Sequence, residues 1–145
     1  MKWIVLPVGA WLVLAQATSP LPEAEQVAVL EVLIRSVASE HCARSSCYVS
    51  VNGKAPSEAF AQRLADVPHV RPIPENGVPP NQRAGANFID LFAARSSSHG
   101  HAEVSAAVSA DIAGTLIAFE SCTYHFAHGA SGWKLKSQET MCLVL

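Results

Sequence analysis

Charge is scarce in this chain: ten Lys and Arg with twelve Asp and Glu make up 15% of 145 residues, where about 25% is typical of soluble domains. No basic cluster is present, and a nucleic-acid-binding face needs one to neutralise phosphates. Long apolar runs are missing after residue 17, so no later segment can cross a bilayer as a helix, which takes about 20 apolar residues. Cys-x2-Cys spacing is also missing, so the four cysteines do not present paired thiolates to a metal or form a tuned redox pair. Gly129-Ala130-Ser131-Gly132 lacks the glycine spacing of a nucleophile elbow and leads into a strand pattern, which removes that route to a reactive serine. There is no internal repeat.

Half of the residues are apolar, enough for a buried core and contrary to disorder. Met1-Lys2 gives a positive start, Trp3 to Ala15 is an apolar run, and Ala15-Gln16-Ala17 is a small-x-small site. This pattern predicts a signal peptide over residues 1–17, cleaved after Ala17, and a single domain over residues 18–145. The run is too short for a retained anchor. Loss of Lys2 leaves nine basic and twelve acidic residues, a net charge of −3. The expected location is extracytoplasmic, either periplasmic or secreted. Cys142-Leu143-Val144-Leu145 matches a prenylation pattern, but prenylation is cytosolic and conflicts with export. Four cysteines in a small exported chain imply two disulfides with three conceivable pairings. Cys42 with Cys47 and Cys122 with Cys142 is favoured, since it ties a helix end to a strand and the last two strands to each other.

Prolines at 20 and 22 followed by Glu23 and Glu25 mark a helix start. Val27, Leu30, Ile34, Val37 and His41, widened by Val29 and Leu33, predict an amphipathic helix of about five turns. Cys47 to Val51 reads as a short strand stopped at Asn52-Gly53, and Ser57 caps a shorter helix from Glu58 to about Asp66. From Pro68 to Gly85, five prolines exclude helix and interior strand. A loop of that length is expected to bind something, or else to be packed down by Val70, Ile73 and Val78. Four strands follow: Asn87 to Arg95, Glu103 to Ala110, Thr115 to Ala127 with a bulge near Glu120-Ser121, and a last one from Trp133. The fold class is α+β, a long N-terminal helix and a short second helix packed on a curved antiparallel sheet that ends in a four-strand meander.

This order of elements from about Glu23, together with Tyr124-His125-Phe126 and Gly132-Trp133-Lys134-Leu135 in the terminal hairpin, resembles the nuclear-transport-factor-2-like or cystatin-like roll. The resemblance implies a sheet wrapped on a helix to leave a pocket, used by some members for catalysis and by many for binding. The proline segment and the cysteines depart from the pattern, so no catalytic residues carry over. The Gln-x-Val-x-Gly loop of cystatin-type inhibitors is absent.

Two constellations hold candidate chemistry. Asp90, on an otherwise apolar strand, and His125, in a neighbouring one, form a candidate acid–base pair, because burial raises a carboxyl toward neutrality and an imidazole is already there. The bland alternative has Asp90 bonded to backbone or Arg95, and His125 facing solvent beside Thr123. His99 with His101 and His125 with His128 lie in two turns that could gather copper or zinc. With no carboxylate or thiolate at ligand spacing, neither a metal nor another cofactor is expected. The expected function is an exported, non-enzymatic binding or interaction module for a small ligand or protein partner, with the loop at 68–85 governing binding. A small pocket enzyme using Asp90 and His125 is the alternative.

Overall fold

The computed structural model describes residues 19–136 and 140–144; the expected signal peptide lies outside them. The elements in order are β1 (Ser19–Pro20), α1 (Glu23–His41), β2 (Cys47–Val51), α2 (Glu58–Leu64), β3 (Val70–Pro72), α3 (Pro80–Arg83), β4 (Asn87–Leu91), β5 (Arg95–Ser98), β6 (His101–Ile112), β7 (Thr115–Gly129), β8 (Gly132–Leu135) and β9 (Met141–Val144). The protein is α+β. Glu23 and Glu25 sit in the first turn of α1, where carboxylates complement the helix dipole. Val29, Leu30, Leu33, Ile34, Val37 and Ala38 form its buried stripe. That stripe packs with Val49, Ile89, Leu91, Val104, Val108, Tyr124 and Phe126 of the sheet and with Phe60 and Leu64 of α2.

The sheet is mixed rather than wholly antiparallel. β2 runs parallel to both β3 and β4. Parallel neighbours need a crossover, which α2 supplies before β3 and residues 73–86 supply before β4. β2 is therefore central, and its first four residues are all buried.

The expected single strand from Asn87 to Arg95 is broken into β4 and β5, and β5 runs on past Arg95 to Ser98. Side chains intercept the ladder at the break: Ala93 N donates to Asn52 Oδ1 at 3.2 Å. Gln26 brackets Ala94, accepting from its N–H and donating to its carbonyl, both at 2.8 Å. The chain thereby steps along one edge of β6, pairing first with Ala106–Ala110 as β4 and then with the β6 start as β5. β5, β6, β7 and β8 run as a four-strand meander.

Val108 pairs with Glu120 and Ser109 with Ala118, so Phe119 is the extra residue. The bulge thus falls one position before the expected one. It exchanges the parity of β7, letting Cys122, Tyr124 and Phe126 face the core.

The proline segment is more ordered than a free loop. Its start forms the parallel edge strand β3, with Val70 buried, Cys47 N donating to His69 O and Ile73 N to Val49 O, both at 2.8 Å. Pro80 opens one helical turn, a position where its missing N–H has no consequence. Helix was excluded there on proline count alone, and that expectation fails for these four residues.

Candidate functional site

Both expected disulfides are present, Cys42–Cys47 and Cys122–Cys142. Two disulfides point to an oxidising, extracytoplasmic environment. Among the described residues no helix is long and apolar enough to cross a membrane.

Asp90 is used for structure. Its Oδ1 accepts from Ser50 Oγ and from Gly53 N, each at 2.8 Å, so it pins the Asn52-Gly53 turn that ends β2. Both residues of that turn have positive φ, which Asn and Gly adopt most readily. His125 lies on the same open face of the sheet. Asp90 aligns with Ala107 and Ser121, and His125 is two strands across and four residues along, roughly 16 Å away by standard strand spacings. The acid–base pair is not assembled. Tyr124 belongs to the opposite, helix-covered face, and its hydroxyl is pushed up to about 12 by burial, with Glu120 and Glu40 adding to the effect. It holds its proton at neutral pH.

The histidines divide. His101 and His125 share a face on adjoining strands and line a shallow pocket with Ser97, Ser98 and Lys136. His128 instead packs edge-on against Trp133, with ring centroids 5.0 Å apart. Among the described residues the only trio of clustered ligating side chains is Glu120, Cys122 and Cys142. Its sulfurs are bonded to each other and offer no thiolate. Beside this trio, His41 Nε2 stands 3.4 Å from Glu120 Oε1 without hydrogen-bond alignment.

A groove of 260 Å³ lies between α1 and the turn after α2, lined by Ala38, Cys42, Val67, Pro68, His69 and Arg35, among others. Its floor is apolar, and the Arg35 guanidinium is held by Asp66 at 2.9 Å and Glu31 at 3.1 Å. A ligand site of this size normally adds a few converging polar groups, and here the strongest one is already neutralised.

The more distinctive feature is the end of the sheet. β4 leaves β6 after Ala110 and β9 leaves β7 after Glu120. Asp111 to Phe119 therefore form a two-stranded arm whose ladder, among the described residues, is with itself. Two-stranded ribbons are marginal alone, and this one is anchored at its base: Arg83 Nε approaches Asp111 Oδ2 at 2.9 Å, and Asp111 Oδ1 accepts from Gly114 N at 2.9 Å. Ile112 to Phe119 contain no charge. Ile112, Leu116 and Ile117 are 46–57% exposed, and in adjoining β9, Met141 is 73%, Leu143 70% and Val144 84% exposed. Six of the seven exposed large hydrophobics among the described residues thus lie on these two elements. By register, Ile112, Ile117 and Val144 belong to the helix-side face, and Leu116, Met141 and Leu143 to the open face. Sequence reasoning missed this surface, because the alternation that marks a strand does not reveal whether a neighbour covers it. The uncharged run from Ile112 to Phe119 was the available signal.

Comparison with protein-family models, curated proteins and solved structures found no match.

Proposed function

We propose that the mature chain is an exported, non-enzymatic interaction domain that engages a protein partner through the apolar end of its sheet, the β6–β7 arm together with β9. The observation that carries this reading is the concentration of exposed large hydrophobics on those two adjoining elements. The six residues are shared between the two faces at that end of the sheet, and exposed apolar surface gathered in this way marks association sites in soluble proteins. Export is supported by the leader pattern of residues 1–17 and by two disulfides. The separation of Asp90 from His125 takes away the geometric basis of the acid–base alternative.

The test is site-specific photo-crosslinking in the producing cells, with the crosslinking residue at Ile117 or Leu143 and a control at exposed Glu58 on α2. Discrete crosslinked protein species are expected from the first two positions and not from the control. The same pattern from all three, or no product from any, would overturn the reading.

A further inference from the structure

We propose that β9 seats a second copy of this chain, the two sheets joining edge to edge through antiparallel β9–β9 pairing with Cys142 at the two-fold axis. This rests on the reading of the apolar end as an interaction surface, and it names the occupant.

The argument begins with the strand edges. Natural sheets guard an edge with proline, lysine or a covering element. β1 contains Pro20 and β3 contains Pro72, so each lacks a ladder donor at that residue. β8 contains Lys134 and lies against α1. β9 is Met141-Cys142-Leu143-Val144, with neither charge nor proline, exposed throughout. Among the described strand edges it shares the lack of these guards with the adjoining Thr115–Phe119 end of β7, and it alone of the two is exposed at every residue and fixed by a disulfide. Antiparallel pairing of β9 with its own copy is isologous and uses the same edge on both chains, so this contact closes as a two-fold dimer rather than a fibre.

Geometry and preorganisation agree with that. Residues opposed in an antiparallel ladder share a face, so a two-fold axis normal to the sheet matches residues of equal parity. With Cys142 opposite its own copy, Met141 meets Leu143 of the second copy on the open face, twice over, and Val144 meets Thr140. No rung opposes like charges. The Cys122–Cys142 bond and the ladder to β7 hold β9 in place, so little further ordering is needed on association. The pairing is short compared with a standard interface, so the dimer should depend on concentration.

The experiment is sedimentation equilibrium of the disulfide-intact mature chain from roughly 10 µM to 1 mM, the range in which contacts of a few kcal/mol to about 7 kcal/mol register. A monomer–dimer equilibrium is expected. Met141→Lys or Leu143→Glu alone should weaken it at least about tenfold. The double variant, which opposes the two charges across the axis, should recover part of the loss at low salt and forfeit it at high salt. In the unaltered chain, amide exchange over Thr140–Val144 should slow as concentration rises, an outcome independent of variant folding. A monomer throughout the range, a dimer indifferent to both single changes, or one abolished by Ile117→Lys alone would overturn the proposal. If a monomer still crosslinks a different protein through Ile117 or Leu143, the dimer fails and the interaction surface stands. If there is neither dimer nor crosslink, both fail.

Discussion

Cys142 stands directly across the ladder from Cys122, three residues out of step with the hairpin before it. β7 and β8 pair Phe126 with Leu135 and Gly129 with Gly132, a register that, continued, would set Glu139 opposite Cys122. The β8 and β9 registers on β7 therefore differ by three residues, and neither the β7 bulge nor the Gly129–Gly132 turn accounts for the difference. β9 is short, four residues on one ladder to β7. Under the loop-entropy model a crosslink enclosing some 20 residues contributes about 3 kcal/mol, against about 2 kcal/mol for the small Cys42–Cys47 loop. Replacing Cys122 and Cys142 by Ala should lower the denaturant midpoint accordingly and leave β9 amides in fast exchange. An unchanged midpoint would mean that β9 is held by its ladder alone.

Asp90 should matter for stability. Its Oδ1 serves both Ser50, a buried hydroxyl, and the Gly53 amide. Asp90→Ala leaves Ser50 without that acceptor and frees the turn, at a cost of about 1–3 kcal/mol. Urea unfolding measures it, and a variant as stable as the parent would contradict the structural role.

Ala113 is strained by its conformation. Ala113 and Gly114 form the two-residue loop of the arm, and both have positive φ, 54° and 85°. That combination is a type I′ turn, which favours Asn-Gly and penalises alanine at its first position. Ala113→Asn should stabilise the protein by about 0.5–1 kcal/mol. A loss of stability would show that the alanine methyl is needed where it is.

Burial and the nearby Glu120 and Glu40 raise the Tyr124 hydroxyl to about 12, against about 10 in an unfolded chain. Folding therefore favours the protonated phenol. This contribution is complete below pH 10 and is lost as the pH rises from 10 to 12. Phenolate absorbance should show a component near pH 12 that Tyr124→Phe removes. A midpoint near pH 10 for that component would place the hydroxyl in water.

Replacing residues 68–85 with a Gly-Ser bridge should unfold or severely destabilise the domain, the reverse of what a free binding loop implies. The change deletes β3, removes buried Val70 and strips Gln82 from the Tyr48 hydroxyl, its neighbour at 3.4 Å. It also removes Arg83, leaving the Asp111 carboxylate, only 8% exposed, without its ion pair. Far-UV circular dichroism of the shortened chain decides the matter, and a native spectrum would restore the segment to a binding role.

Local chemistry by itself determined a good part of this protein. The stripe from Val27 to His41 specified α1, the serine at position 57 capped α2 by accepting from Phe60 N, and Asn52-Gly53 ended β2. The alternation in β6 fixed which side of that strand is buried, because a period of two leaves no other choice. The helix-to-strand and strand-to-strand cysteine pairing was legible for the same reason: both pairs lie near their partners in element order. Tertiary structure alone decided the rest. β2 became parallel and central because two crossovers return the chain to the same end, and nothing within Cys47–Val51 encodes its neighbours. Asn87 to Arg95 was divided by Asn52 and Gln26, side chains distant in sequence. Asp90 and His125 share a face but not a site, since a strand pattern fixes the face of a residue and not its distance across the sheet. The apolar arm and β9 became a surface through the absence of a covering neighbour in the described fold, and coverage is a property of the assembled sheet, not of any segment in it.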